Sequence, residues 1–202
     1  RSNITSPLND SIQSESGFYV NADLENITLQ SGGNCSYSID GNSNITMSNQ
    51  SMIRYFNFTN PVEVGRHSIE AYCNDTSGEF SSSNVHNFSV QDLTAPRVSL
   101  VFPLNNSEVA NGNVTLAYNV TDFTSNISNC TLILDFEDNV ANFTVVKNIN
   151  QTFNVTGLTS EQHRWQVRCA DNSSNKNIGL SEEFVFLVGI DNSPPVVTLQ
   201  SP

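Results

Sequence analysis

Between Asn113 and Thr121 the chain alternates. Val114, Leu116, Tyr118 and Val120 fall on one parity, and Asn113, Thr115, Asn119 and Thr121 on the other. Successive side chains of a strand point to opposite faces, so this is the period of a half-buried strand. Further strand-like runs occur at RVSLVFP (97–103), CTLILDF (130–136), NFTVVKN (142–148), QTFNVTGL (151–158), HRWQVRCAD (163–171) and SEEFVFLV (181–188). They are short, regularly spaced and separated by turn residues, and no stretch carries a convincing helical period. Together they predict an all-β chain built as antiparallel β-sandwiches.

The pattern is duplicated. SPLNDS at Ser6 returns as FPLNNS at Phe102, and GGNCSYSIDG around Cys35 returns as ISNCTLILDF around Cys130. HSIEAYCND at His67 returns as HRWQVRCAD at His163, and NVHNFSV at Asn84 corresponds to LSEEFVF at Leu180. APRVSLVFP at Ala95 returns as PPVVTLQSP at Pro194, and the offsets run from 95 to 99 residues. Each unit is one small domain. The boundaries are 1–93 for repeat one and 94–193 for repeat two. Residues 194–202 read as the first strand of a third repeat, with NITSP at Asn3 as the counterpart in repeat one. The competing reading is a strand donated to a neighbouring subunit. The opening RSNITSPLND has no initiator Met, which reads as a processed or excised piece. DLTAP and DNSPP are short, Pro-containing, acidic links that predict a semi-rigid array.

Four cysteines occupy two equivalent pairs, separated by 38 and 39 positions. The repeat selects Cys35–Cys73 and Cys130–Cys169 from the three possible connectivities. Each first Cys opens a third strand and each second Cys closes a sixth, so the pairing places those strands side by side. Closing a loop of this size is worth about 4 kcal/mol in the chain-entropy model. Paired disulfides place the chain outside the cytoplasm, in an extracellular or cell-surface setting.

Composition adds a second signal. Charged residues make up only 14% of the chain, while Asn alone numbers 29. Random placement of Asn among the Ser and Thr residues gives about 6 Asn-x-Ser/Thr triplets, and the chain has 18. They lie at Asn3, Asn9, Asn26, Asn34, Asn44, Asn49, Asn57, Asn74, Asn87, Asn105, Asn113, Asn119, Asn126, Asn129, Asn142, Asn150, Asn154 and Asn172. The excess predicts N-linked glycans, although a strand period of two also sets Asn and Thr two apart. Ten triplets carry Ile, Val or Phe in the middle. Those triplets predict an outward Asn and Thr with a core residue between them. Examples are NFT at Asn57 and Asn142 and NVT at Asn154.

The net charge of −12 argues against nucleic acid and against an anionic membrane surface as partners. Candidate chemistry is sparse. No nucleophile elbow, phosphate loop or His-Glu-x-x-His occurs, and His67 and His163 share one repeat position, so a non-enzymatic role is expected. Asp122 ends one strand, Asp171 another, and Asp92 lies in the linker. Asp23 and Asp75 echo them in repeat one, and Asp191 is the next linker acid. Grouped hard oxygens suit calcium, while ordinary turn chemistry of Asp is the alternative.

PVVTLQSP, NCTLIL, WQVRCADNSSN and DNSPP together resemble the tandem Ig-like repeats of archaeal cell-surface proteins, along essentially the whole chain. The resemblance implies two tandem Ig-like β-sandwiches, each with one internal disulfide. It also implies a role in a surface layer, sheath or filament, or as an adhesin module binding another cell or a glycan. The implied partners are further repeats or copies of the chain, end to end.

Overall fold

The structure is a computed structural model that describes residues 2–24, 33–51, 53–74 and 79–189. The 194–202 segment, Asn26, Asp75 and Asp191 lie outside the described residues. The chain divides into two compact units, Arg1–Leu93 and Thr94–Pro202. No helix long and apolar enough to cross a membrane occurs among the described residues.

Among the described residues, the first unit contains ten strands: β1 (Ser2–Ser6), β2 (Ser11–Ser14), β3 (Tyr19–Leu24), β4 (Asn34–Ile39), β5 (Ile45–Thr46), β6 (Ser48–Ser51), β7 (Arg54–Phe58), β8 (Gly65–Asn74), β9 (Phe80–Ser82) and β10 (His86–Gln91). They form two sheets, ordered β1-β3-β7-β6 and β2-β10-β8-β4-β5, with β9 also on β8. The second unit contains β11 (Arg97–Phe102), β12 (Ser107–Val109), β13 (Val114–Thr121), β14 (Ile127–Leu134), β15 (Glu137–Asn142), β16 (Asn150–Val155), β17 (Gln162–Asp171), β18 (Ile178–Leu180) and β19 (Phe184–Val188). Its sheets are β11-β13-β16 and β12-β19-β17-β14-β15, with β18 on β17. Each unit is an Ig-like sandwich with its own core. Tyr37, Val20, Ile69 and Phe88 fill the first, and Leu116, Tyr118, Leu132, Trp165 and Phe186 fill the second.

Three local devices account for the strand breaks, and each occurs in both units. The opening strand changes sheets at Pro7 and at Pro103, where the missing N–H cannot continue a ladder. β1 pairs with β3, whereas β2 runs parallel to β10; β11 pairs with β13, whereas β12 runs parallel to β19. The final strand is split as well, β9 from β10 and β18 from β19. The Ala71 N–H donates to Ser83 Oγ (2.9 Å), and the Val167 N–H to Ser181 Oγ (3.0 Å). A buried serine hydroxyl thus replaces a ladder carbonyl. This corrects the single strand read across 181–188. The strand expected at 142–148 is also displaced. β15 ends at Asn142, whose Oδ1 accepts the Thr144 N–H (2.9 Å) and closes a turn. The third device is the pair of asparagine clasps described below.

The units differ after β4 and β14. In unit 1 the chain crosses over and β6 joins β7. In unit 2 β15 stays on β14.

The disulfides Cys35–Cys73 and Cys130–Cys169 each join two directly paired strands of one sheet. All four side chains are buried. Replacing either pair by alanine is expected to cost that unit about 2–4 kcal/mol. Urea unfolding checks this: a loss below 0.5 kcal/mol, within the range of surface substitutions, would contradict it.

Candidate functional site

The candidate surface is built from the acceptor asparagines. Among the described residues, none of the 17 that fall there is buried. On β13 the buried row is Val114, Leu116, Tyr118 and Val120, as the alternation requires. On the opposite face Asn119 pairs with Asn150, and Thr115 with Asn154. Asn119 Nδ2 donates to Asn150 Oδ1 at 3.1 Å, and Thr115 Oγ1 to Asn154 Oδ1 at 2.9 Å. The outer face of β13 and β16 is therefore a field of Asn and Thr. In unit 1 the same logic turns Asn34 and Asn74 outward beside the buried Cys35 and Cys73.

The expectation of a buried middle residue holds for Ile4, Phe88, Val114, Val120 and Ile127 and fails at three sites. Ile45 is 43% exposed, Phe58 52% and Phe143 74%. At Asn57 the strand phase is inverted. Tyr55 faces the core, so Asn57 shares its side and Phe58 points out against Tyr19. Asn57 Nδ2 donates to the Thr46 carbonyl at 3.3 Å. Asn142 pairs with the inward Cys130, which leaves Phe143 in the following turn. At Asn44, β5 is a two-residue edge strand with both residues exposed.

Two acceptors also do structural work that the triplet count did not suggest. Asn9 Oδ1 accepts the Asn87 N–H (2.8 Å), and Asn105 Oδ1 accepts the Val185 N–H (2.9 Å). The following residues, Asp10 and Asn106, have φ of 60° and 61°, a conformation Asn and Asp tolerate. The duplicated PLN[DN]S motif is this clasp.

His67 and His163 are held alike. Nδ1 lies 2.6 Å from Asp40 Oδ2 in one and 2.7 Å from Asp135 Oδ2 in the other. Nε2 lies 2.7 Å from the Glu63 carbonyl and 3.0 Å from the Thr159 carbonyl. The rings pack on Phe88 and Phe186 at 5.6 and 5.7 Å. Both partners of each ring only accept, so the doubly protonated imidazolium is the form that satisfies them. Burial pulls both pKa values down, but the carboxylate, the carbonyl and the nearby acids (Asp40 and Glu63; Asp135 and Glu161) outweigh it and leave both raised. For Asp40, burial opposes ionisation, while His67 and Ser68 overcome it and lower its pKa. With Nε2 tied to a carbonyl in both units, these pairs fasten the end of β4 to β8 in unit 1, and of β14 to β17 in unit 2. The sequence pointed to the histidines. It did not point to Asp40 and Asp135, although both follow equivalent strands.

Within unit 2, two of the acidic candidates come together. In unit 2, carboxylate oxygens of Asp122 and Asp171 come within 4.8 Å of each other. Asp122 Oδ1 accepts the Thr124 and Ser125 N–H groups (3.0 and 2.7 Å). Asp171, fully buried, accepts from the Ser173 and Asn177 N–H groups and from Asn177 Nδ2. Lys147 Nζ donates to the Asp122 and Ser125 carbonyls (3.3 and 2.8 Å). Asp92 is buried at the end of unit 1. Asp23 pairs with Arg54 at 3.2 Å. These bonds are the turn and ion-pair chemistry expected of aspartate.

No family model matches the chain, and no curated protein matches it. Among solved structures it is similar to the fibronectin(III)-like modules of Clostridium thermocellum CbhA. The identity there is 15% and the TM-score 0.43, over 99% of this chain and 100% of that one. It is also similar to titin I67–I69, at 11% identity and TM-score 0.46, over 93% of this chain and 65% of that one. The ICAM-5 D1–D4 fragment matches at 11% identity and TM-score 0.43, over 98% of this chain and 54% of that one.

The histidine clasps predict a pH dependence. A raised histidine pKa contributes stability that is full below about pH 6.5 and fades as pH rises through the folded value. The lowered Asp40 pKa contributes stability present above about pH 4, lost as pH falls through its folded value. His67→Gln and His163→Gln are each expected to flatten the alkaline limb by about 1 kcal/mol, discounted for the half-exposed carboxylates. Urea unfolding between pH 5 and 9 checks this; an unchanged alkaline limb in both variants would contradict it.

Proposed function

We propose that the chain is a segment of an extracellular structural glycoprotein, a stalk, sheath or filament built from disulfide-locked Ig-like units. In that reading the units stand end to end. The observation that carries this reading is that none of the described acceptor asparagines is buried and that several lie on sheet faces. A sugar coat on those faces keeps sheet edges and a weakly charged surface in water. The disulfides fit an oxidising, secreted environment. The partners would be further repeats or copies of the chain, with 194–202 as one route to joining them by strand donation.

An adhesin module is the alternative. It is favoured by one unrepeated surface feature of unit 1, the exposed Phe80 stacked on the half-buried Tyr72. Electron microscopy of the native material decides between them. The structural reading predicts linear, laterally decorated arrays with a repeat of one domain. Dispersed monomers that bind cells through unit 1 would overturn it.

A further inference from the structure

Tyr72 and Phe80 form a shelf on the outer face of unit 1. Their ring centroids lie 5.9 Å apart and nearly parallel, at 25°. Phe80 is 69% exposed, so this is apolar surface that the fold leaves in water. The Tyr72 hydroxyl donates to Glu70 Oε2 at 2.8 Å, which fixes its ring. The shelf borders an open concavity of about 620 Å³ whose lining includes Asn34, Asn44 and Asn74. That volume falls within the roughly 300–1,000 Å³ of small-ligand sites.

The register points to Asn74. Asn74 pairs directly with Phe80 across β8 and β9, and Tyr72 lies two residues earlier on the same face. The second unit has the same strands with Arg168, Ala170 and Ile178 at these places, Ala170 pairing with Ile178. Where the acceptor becomes Ala170, both rings are lost with it. Asn34 has a counterpart that keeps its acceptor: Asn129 pairs with Ala170 as Asn34 pairs with Asn74. The rings therefore track Asn74 and not Asn34.

We propose that the Tyr72–Phe80 shelf is the docking surface of the sugar carried by Asn74. This rests on the glycoprotein reading and goes beyond it by giving one glycan a structural role. Attachment uses a glycosyl diphosphate donor. The Asn74 amide nitrogen loses a proton and bonds to the sugar C1, the C1–O bond breaks, and the diphosphate leaves with the electron pair. One face of a pyranose is a patch of C–H groups with partial positive charge. That face complements the negative face of an aromatic ring. Asn74 lies directly opposite Phe80 and two residues from Tyr72 on the same face, so a sugar linked there emerges beside both rings.

The test compares wild type, Asn74→Gln, Phe80→Leu and the double variant, each made in a glycosylating host and in a host without a transferase. Glycopeptide mass spectrometry reads occupancy at Asn74, and thermal melting reads the coupling. In glycosylated protein, Asn74→Gln is expected to lower the melting temperature by about 4 °C. That loss should vanish in the Phe80→Leu background and in sugar-free protein. Additive effects of the two substitutions would overturn the proposal. So would Phe80-dependent binding of a free saccharide to sugar-free protein, which would assign the shelf to a foreign glycan. A bare Asn74 on a chain glycosylated elsewhere overturns the proposal alone, whereas a chain bare at every acceptor overturns the glycoprotein reading as well.

Discussion

Everything on the surface of these units depends on the register of one strand pair in each, β4 with β8 and β14 with β17. Cys35 faces Cys73 and Cys130 faces Cys169, and the disulfides fasten those registers. A slip of one residue would turn every side chain on the moved strand to the other face. The buried rows of Tyr37 and Ile69, or Leu132 and Val167, would then face water, and the outward asparagines would enter the core. The histidine clasps act at the end of the same pair. Asp40 and Asp135 each hold the neighbouring strand through a backbone N–H and a histidine. Covalent and ionic fastenings thus enforce one pairing from its two ends.

Much of this was legible in the sequence, for physical reasons. The period of two fixed the buried face of β13, and the duplicated spacing selected the disulfides. Trp165 and Ile69 fill one core position in the two units, as their shared place in the repeat suggested. What escaped was set by local hydrogen bonds that hydrophobic periodicity does not encode. The Ser83 and Ser181 splices look like ordinary serines in a strand. Asn57 lies in a triplet like any other, but Tyr55 decides which face it takes. The grouping of Asp122 with Asp171 was legible, whereas the adjacent turns that their oxygens also serve were not.

Asparagine fills more than one role in this chain. At Asn9 and Asn105 its amide oxygen ties a loop to the last strand. At Asn142 it closes a turn. At Asn119, Asn150 and Asn154 it lies on an open sheet face. The high asparagine content is therefore partly architectural. A triplet count overstates the number of free acceptors, and the fold ranks them by what each amide already holds.

That ranking gives the most direct test of the account, which claims that strand phase decides which acceptors carry sugar. Glycopeptide mass spectrometry on protein from its native source would map occupancy residue by residue. The account predicts sugar at Asn113 and Asn154, on the outward face of unit 2, and a bare Asn57, turned toward the core side of β7. Bare Asn113 and Asn154, or an Asn57 as fully occupied as they are, would contradict it.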